Sequence, residues 1–185
     1  MVVGIDEVGR GCLAGPVCVA AVALDVFHPD INDSKQLTAG KRIELARYIK
    51  QTAHLVGIGW ASNAYIDSKG IIAALKDAAL AALLPFGSQA DLILLDGNHN
   101  YLDDERVVTL VDGDASVPLI SAASIVAKVA RDQFMSMAAQ RFAGYGFEQH
   151  VGYATPAHKK ALLTLGSSPV HRLSFGMLKG MQHVD

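Results

Sequence analysis

Two adjacent carboxylates, Asp6 and Glu7, close the short apolar run Val2-Val3-Gly4-Ile5, and Val8-Gly9-Arg10-Gly11 follows at once. Acids at the end of a buried strand lose solvation and repel each other, so a divalent cation is the simplest group that stabilises the pair. The plainer reading of the same letters is a turn cap beside a solvated acid. Two more acids repeat the arrangement. Asp96 ends the run Leu92-Ile93-Leu94-Leu95, and Asp112-Gly113-Asp114 follows the apolar residues 107–111. Carboxylates just past the carboxyl ends of buried strands stand where open α/β sheets build their sites. If the strand ending at Asp96 lies parallel beside the first, Asp96 comes near Asp6 from 90 residues away. Residues 91–114 hold seven acids and one base, so not all are ligands, and Asp103-Asp104-Glu105 reads as a solvated loop.

Other residues offer contacts to a polyanion. Gly9-Arg10-Gly11 with Gly15 imitates a dinucleotide fingerprint, but the third glycine falls one place late and the preceding acids would repel a pyrophosphate. Glycines on both sides of an arginine do allow close approach of backbone amides, with a guanidinium for phosphate. Asp33-Ser34-Lys35 places a hydroxyl and an ammonium in one polar loop, either a phosphate grip or an ordinary solvated turn. Ser121, Ser124, Lys128 and Asp132 recur every three or four residues, one narrow polar stripe on an otherwise apolar helix. The stripe faces water or a phosphate. Asp132 is expected to pair with Arg131 or Lys128 and is a reserve metal ligand. Tyr153, in a glycine-aromatic loop, is placed either to stack on a sugar or base or to pack in the core.

The elements that must position these groups follow from periodicity. The run 17–24 reads as a second, buried strand that forms a hairpin with the first. Thr38 caps a helix through Ile49, residues 54–61 form a third strand, and Ser62 or Asn63 caps one long helix from Ala64 to about Leu84 with Pro85 as its stop. Asp67, Lys69, Lys76 and Asp77 read as its wet face. Ser121 opens a second long helix, and Thr155-Pro156 marks the start of another.

At 185 residues the chain suits one domain, with a helical, basic part from about residue 140. Half of it is apolar, which argues for compactness and against disorder, and the uninterrupted apolar runs are too short for a bilayer. Cys12 and Cys18 lack partners at zinc spacing and suggest no disulfide scaffold, so a reducing, cytoplasmic setting is expected. The net charge of −2 hides a division: residues 1–127 hold 9 basic against 15 acidic residues, residues 128–185 hold 7 against 3. A metal-hungry acidic part beside a basic part suits a phosphodiester substrate.

The segments Gly4-Ile5-Asp6-Glu7-Val8-Gly9-Arg10-Gly11, Asp33-Ser34-Lys35-x-Leu37, Asp96-Gly97, Gly113-Asp114, Ser121-Ala122-Ala123-Ser124-Ile125-x-Ala127-Lys128-Val129-x-Arg131-Asp132, Gly152-Tyr153-x-Thr155-x-x-His158 and His171-Arg172-x-Ser174-Phe175 together resemble bacterial ribonuclease HII. The resemblance runs from Gly4 to Phe175 in order. It implies a ribonuclease H-like α/β fold, a five-stranded mixed sheet flanked by helices with a helical C-terminal part. It also implies a metal-dependent endonuclease acting on RNA–DNA hybrids and on ribonucleotides embedded in duplex DNA. Relatives of the ribonuclease HIII kind, which usually carry an additional N-terminal domain, and a non-catalytic hybrid-binding module are the alternatives.

By position, the resemblance makes Asp6, Glu7, Asp96 and Asp114 the metal-site carboxylates, holding Mg²⁺ or Mn²⁺. Gly9, Arg10 and Gly11 would read the ribonucleotide 2′-hydroxyl, Tyr153 would pack against the sugar, and Ser34, Lys35, Ser121 and Lys128 would contact phosphates. Val151 stands where the family usually has lysine and Ala154 where glycine is common, which weakens the phosphate grip near Tyr153. The expected chemistry is in-line displacement with two ions about 4 Å apart, leaving a 3′-hydroxyl and a 5′-phosphate. A monomer is expected, and the letters do not reveal whether a replication clamp is a partner. Consecutive strand residues point to opposite faces, so Asp6 and Glu7 serve one site only if the backbone is irregular or Glu7 acts from further away.

Overall fold

The computed structural model describes residues 1–31 and 37–184. Ser34 and Lys35 lie outside the described residues.

Strands β1 (Val2–Val8) and β2 (Val17–Ala23) pair antiparallel, as the apolar runs predict, and β3 (Leu55–Ala61) pairs antiparallel with β2. β4 (Leu92–Asp96) lies parallel to β1, and β5 (Val107–Leu110) parallel to β4. The order β3-β2-β1-β4-β5 is a mixed five-stranded sheet. β2 is buried along its whole length, which is why its sequence is continuously apolar.

Helices cover both faces. On one, α3 (Ile71–Leu83) sets Leu75, Ala78, Ala79 and Ala82 against Val19, Ala21 and Ile5. Its approach is close because β3 offers glycines there: a Cβ on Gly57 or Gly59 would stand 1.8 Å from the carbonyl oxygen of Ala82 or Ala78. On the other face, α1 (Ala39–Thr52) and α5 (Pro118–Arg141) pack Leu45, Ile49, Ala122, Ile125 and Val126 on Ala20 and Val22. Residues 71–89 are long and apolar enough by composition to cross a membrane, and here α3 spends that apolarity on the sheet.

α5 runs for 24 residues, about 36 Å, and its far half enters a third cluster with Leu13, Tyr145, Phe147, Leu162 and Leu178. That cluster gathers α6 (Phe147–His150), α7 (Pro156–Leu165) and the C-terminal turns, the helical part expected from about residue 140.

Three element readings change. The helix expected from Ala64 to about Leu84 is two, α2 (Asn63–Lys69) and α3, because Gly70 takes φ 83 and ψ 162, which no helical turn tolerates. Its supposed wet face is in part a fastener: Asp67 accepts from the backbone N–H groups of Leu173 and Ser174, each at 2.9 Å, and pins the C-terminal loop. α5 begins at Pro118, three residues before Ser121, using the proline's missing N–H at the first helical position. The caps at Thr38, Ser62 and Thr155 hold, each hydroxyl accepting from the N–H three residues on.

Candidate active site

The parallel pairing of β1 with β4 runs Val2 to Leu92 through Ile5 to Leu95, so Asp6 and Asp96 emerge side by side where the paired stretch ends. β1 continues past β4 to Val8, leaving an open shelf. Around it, Asp6, Glu7, Val8, Arg42, Asp96, Asp114, Ser124, Lys128 and Tyr153 line one cavity of about 340 Å³.

Each carboxylate is held differently. Asp6 is 5% exposed on the α5 face of β1, where Ser124 hydrogen-bonds it and the N–H of Glu7 donates to Oδ1 at 2.7 Å. Burial, with the charges of Glu7 and Asp96 adding to it, pushes its pKa well above the ordinary carboxylate range. Glu7 points to the opposite face, where Tyr101 Oη donates to it at 3.4 Å and Arg10 pairs with it at 3.3 Å. Burial raises its pKa as well, against the Arg10 charge. The strand alternation expected to separate these two acids is therefore obeyed. They share the cavity because it lies over the end of the sheet and receives side chains from both faces.

Asp96 Oδ1 accepts from the N–H of Gly113 at 2.8 Å and of Asp114 at 3.4 Å, which draws the turn after β5 onto β4. Its pKa is raised by burial and then by the neighbouring Asp114 charge. Asp114 lies in α4 (Gly113–Ser116), 3% exposed. Three acids that burial pushes toward the neutral form, Asp6, Glu7 and Asp96, with the buried Asp114 beside them, are a donor set suited to hard divalent cations, which bind carboxylate oxygen. They do not form a closed cage: among the described residues, no three His, Cys, Asp or Glu side chains are gathered as a coordination shell.

The polar stripe of α5 divides. Ser124 and Lys128 line the cavity, whereas Ser121, expected at a phosphate, is 1% exposed and donates to the carbonyl of Asp114 at 2.6 Å. It braces a carboxylate turn, because the helix starts a turn early and buries it. Lys128 pairs with Asp132 at 2.6 Å, one helical turn away. Asp132 lines an adjacent cavity with Arg42 and Gln133 instead of the carboxylate one, so its reserve role as a ligand does not hold.

Gly9, Arg10 and Gly11 form the turn beside this cavity, and two buried arginines hold the loop from Arg10 to Pro16 that continues it. Arg131 donates through Nε to Pro16 at 2.9 Å, and through its two terminal nitrogens to Ala14 at 3.0 Å and Val151 at 2.8 Å. Arg172 donates to Gly15 at 2.9 Å and to the carbonyl of Arg10 at 3.0 Å, with Phe175 beneath it. Burial brings the Arg172 pKa down to about 10. The basic C-terminal part thus commits two of its seven basic residues to the interior rather than to a polyanion. Tyr153, 43% exposed, reaches the cavity from the loop before α7.

Arg42 and Tyr101 are site neighbours to which the sequence reading gave no role, whereas Ser124, read there with Ser121 and Lys128 as a group that could hold a phosphate, hydrogen-bonds Asp6. Arg42 sits one turn into α1 and Tyr101 beyond β4, and only the tertiary fold brings either one here. Ser124 carried a signal, its place in the polar stripe.

The family model described as Ribonuclease HII matches residues 3–178. A ribonuclease HII of Thermosynechococcus vestitus is 47% identical over 181 residues, covering 94% of this chain and 83% of the relative. One of Streptomyces avermitilis is 40% identical over 184 residues, covering 98% of this chain and 79% of the relative. Among solved structures, the ribonuclease HII in the PCNA:RNase HII complex from Archaeoglobus fulgidus superposes with a TM-score of 0.79 at 26% identity, covering 98% of both chains. With the sheet order, the end-of-sheet cavity and these relatives together, the chain belongs to the ribonuclease HII family, a family of metal-dependent endoribonucleases.

Proposed function

We propose that this protein cuts the RNA strand of RNA–DNA hybrids and cuts 5′ to single ribonucleotides embedded in duplex DNA, leaving a 3′-hydroxyl and a 5′-phosphate. The observation that carries the proposal is the register of β1 against β4. It sets Asp6 beside Asp96 on a cavity that also holds Glu7, Asp114, a lysine and a tyrosine.

Asp6, Asp96 and Asp114 are the carboxylates that hold Mg²⁺ or Mn²⁺, with Glu7 joining from the other face of β1. Bound there, two such ions supply a water activated for in-line attack and charge stabilisation for the leaving 3′-oxygen. The protein's own groups do the rest. Lys128 and Arg42 present cationic nitrogen to the phosphates on either side of the cut. Tyr153 offers a ring face to the sugar of the ribonucleotide. The Gly9-Arg10-Gly11 turn, with Arg131 packed behind Gly9 and Arg172 bonded to the Arg10 carbonyl, brings backbone groups to the 2′-hydroxyl. A rigid turn discriminates one hydroxyl because a substrate lacking it leaves the turn's polar groups unpaired. The protein acts as a monomer, and a sliding clamp is proposed as its partner by analogy with the A. fulgidus relative.

The test is cleavage of a DNA duplex bearing one ribonucleotide, beside an all-DNA duplex and an RNA–DNA hybrid, with Mg²⁺, Mn²⁺ or chelator. The expected result is a single metal-dependent cut 5′ to the ribonucleotide, lost in Asp96→Asn. Equal cutting of the all-DNA duplex, or full activity of Asp96→Asn, refutes the proposal.

A further inference from the structure

The third cluster holds three buried imidazoles, and their hydrogen bonds leave little choice of protonation. The backbone N–H of Ser168 donates to His171 Nδ1 at 2.9 Å, so that nitrogen carries a lone pair. The Ser168 carbonyl, 3.3 Å from the same nitrogen, already accepts the N–H of His171 at 2.9 Å. The His171 proton is therefore on Nε2, which stands 3.0 Å from His158 Nε2. At the other end, His158 Nδ1 lies 2.8 Å from the carbonyl oxygen of Tyr153, an atom that only accepts. Both ends require the same arrangement: His171 Nε2–H donates to His158 Nε2, and His158 Nδ1–H donates to Tyr153. The two rings are neutral and in opposite tautomers.

The chain of bonds ends at a functional position. Tyr153 lies between α6 and the Thr155 cap of α7, its N–H donating to His150 at 2.9 Å and its carbonyl also accepting from Thr155 at 2.8 Å. The residue is 43% exposed, so packing alone does not fix it: its side chain bonds Cys12, and its backbone sets where the ring starts from. His158 in turn has no slack. It stacks on His150 with 4.3 Å between ring centroids and meets the edge of Phe147 at 5.5 Å, while Tyr145 lies 5.0 Å from His171.

We propose that His158 and His171 are positioning residues for Tyr153: one imidazole-to-imidazole hydrogen bond, running from Ser168 to the Tyr153 carbonyl, fixes the backbone that delivers the Tyr153 ring to the substrate cavity. The inference rests on the reading of Tyr153 as the ring that meets the substrate sugar. Neither histidine touches substrate. Asn at 158 keeps a donor near Nδ1 and so preserves the last bond of the chain, whereas Leu fills the space and donates nothing.

The test has two arms. In the first, steady-state cleavage of the single-ribonucleotide duplex is measured for the wild type, His158→Leu, His158→Asn, Tyr153→Ala and the His158→Leu/Tyr153→Ala pair, with thermal unfolding of each. Loss of the bond is expected to cut kcat/KM about tenfold in His158→Leu, with Asn within about threefold of wild type and less than about twofold further loss when Leu is added to Tyr153→Ala. An equal loss in both backgrounds overturns the inference, since it marks a general structural role.

In the second arm, ¹⁵N NMR of the imidazoles in the unmutated protein reads the tautomers directly and needs no activity. His158 protonated on Nδ1 with His171 protonated on Nε2 is expected, and Nε2–H on His158 overturns the inference. A wild type that does not cut the duplex sinks the functional reading, while the NMR arm still decides the hydrogen-bond chain.

Discussion

Gly9 and Arg131 meet so closely that a single carbon more would collide: a Cβ built on Gly9 would lie 2.0 Å from Arg131 Nε. The glycine also takes φ +92, a region that L side chains rarely adopt. Arg131 cannot yield, because it is wholly buried and its three donor nitrogens are bonded to Pro16, Ala14 and Val151. Gly9→Ala is therefore expected to lose about 2 kcal/mol or more of stability, from backbone strain and collision together. It should also lose discrimination between ribonucleotide and all-DNA duplex. Thermal unfolding and paired cleavage assays check both, and an alanine variant of unchanged stability and selectivity would show that the turn is not held as described.

Asp6→Asn is expected to abolish cleavage, by about a thousandfold or more, while leaving the metal-free protein as stable as the wild type or more stable. The reason is that a buried carboxylate beside Glu7 and Asp96 is kept at a cost that the neutral amide avoids. The linkage runs the same way. A pKa raised in the folded state gives stability that is full below the unfolded value of about 3.8 and is lost as pH rises through the folded value. Adding Mg²⁺ or Mn²⁺ at 100 times its Kd should stabilise the wild type by about 2.7 kcal/mol and Asp6→Asn by far less. Scanning calorimetry with chelator and with metal separates these outcomes.

The buried histidines have the opposite sign. Burial, and then the adjoining His158 ring, brings the His171 pKa from 6.5 down to about 4, and burial lowers that of His158 too. The unfolded chain binds more protons than the folded one between pH 6.5 and about 4, so this contribution is full above pH 6.5 and falls as pH drops through that window. Each buried histidine can contribute at most about 1.4 kcal/mol per pH unit there. Because the carboxylates act in the other direction, the measurement is a difference: denaturant unfolding of wild type and His158→Asn from pH 4 to 7. The variant should show the shallower acid slope.

Val151→Lys is expected to tighten substrate binding. Val151 precedes the Gly152-Tyr153 loop at φ +44, and its carbonyl is already held by Arg131, so the backbone of the position is set whatever the side chain. One added phosphate contact should lower KM several-fold at low salt and steepen the dependence of log KM on log salt by about 0.9. An unchanged salt slope would mean that the strand backbone passes elsewhere.

Much of this arrangement was legible in the letters because it rests on local rules. The apolar runs ending in Asp6 and Asp96, the antiparallel partner of β1, and the caps at Thr38, Ser62 and Thr155 follow from periodicity and from the backbone N–H groups a helix start leaves unpaired. The split at Gly70 was missed because an apolar pattern continues across it. Asp67 and Ser121 were misjudged, and the buried roles of His171 and Arg172 went unread, for a shared reason: a polar residue's letter does not say whether its partner is water or a distant backbone atom. Asp67 bonds N–H groups 106 and 107 residues away, and Arg172 a carbonyl 162 residues away.

By itself the sequence determined the chemistry available, four acids each placed at or just beyond the end of a strand, and the family to which their order corresponds. Only the tertiary structure decided which polar groups stand at the cavity and which brace it, and how Asp6 and Glu7, on opposite faces of β1, share a cavity over the end of the sheet. The physical reason is that strand and helix periodicities are set by neighbours in sequence. The fate of a buried charge is set by whatever donors and acceptors the folded chain brings within about 3 Å of it.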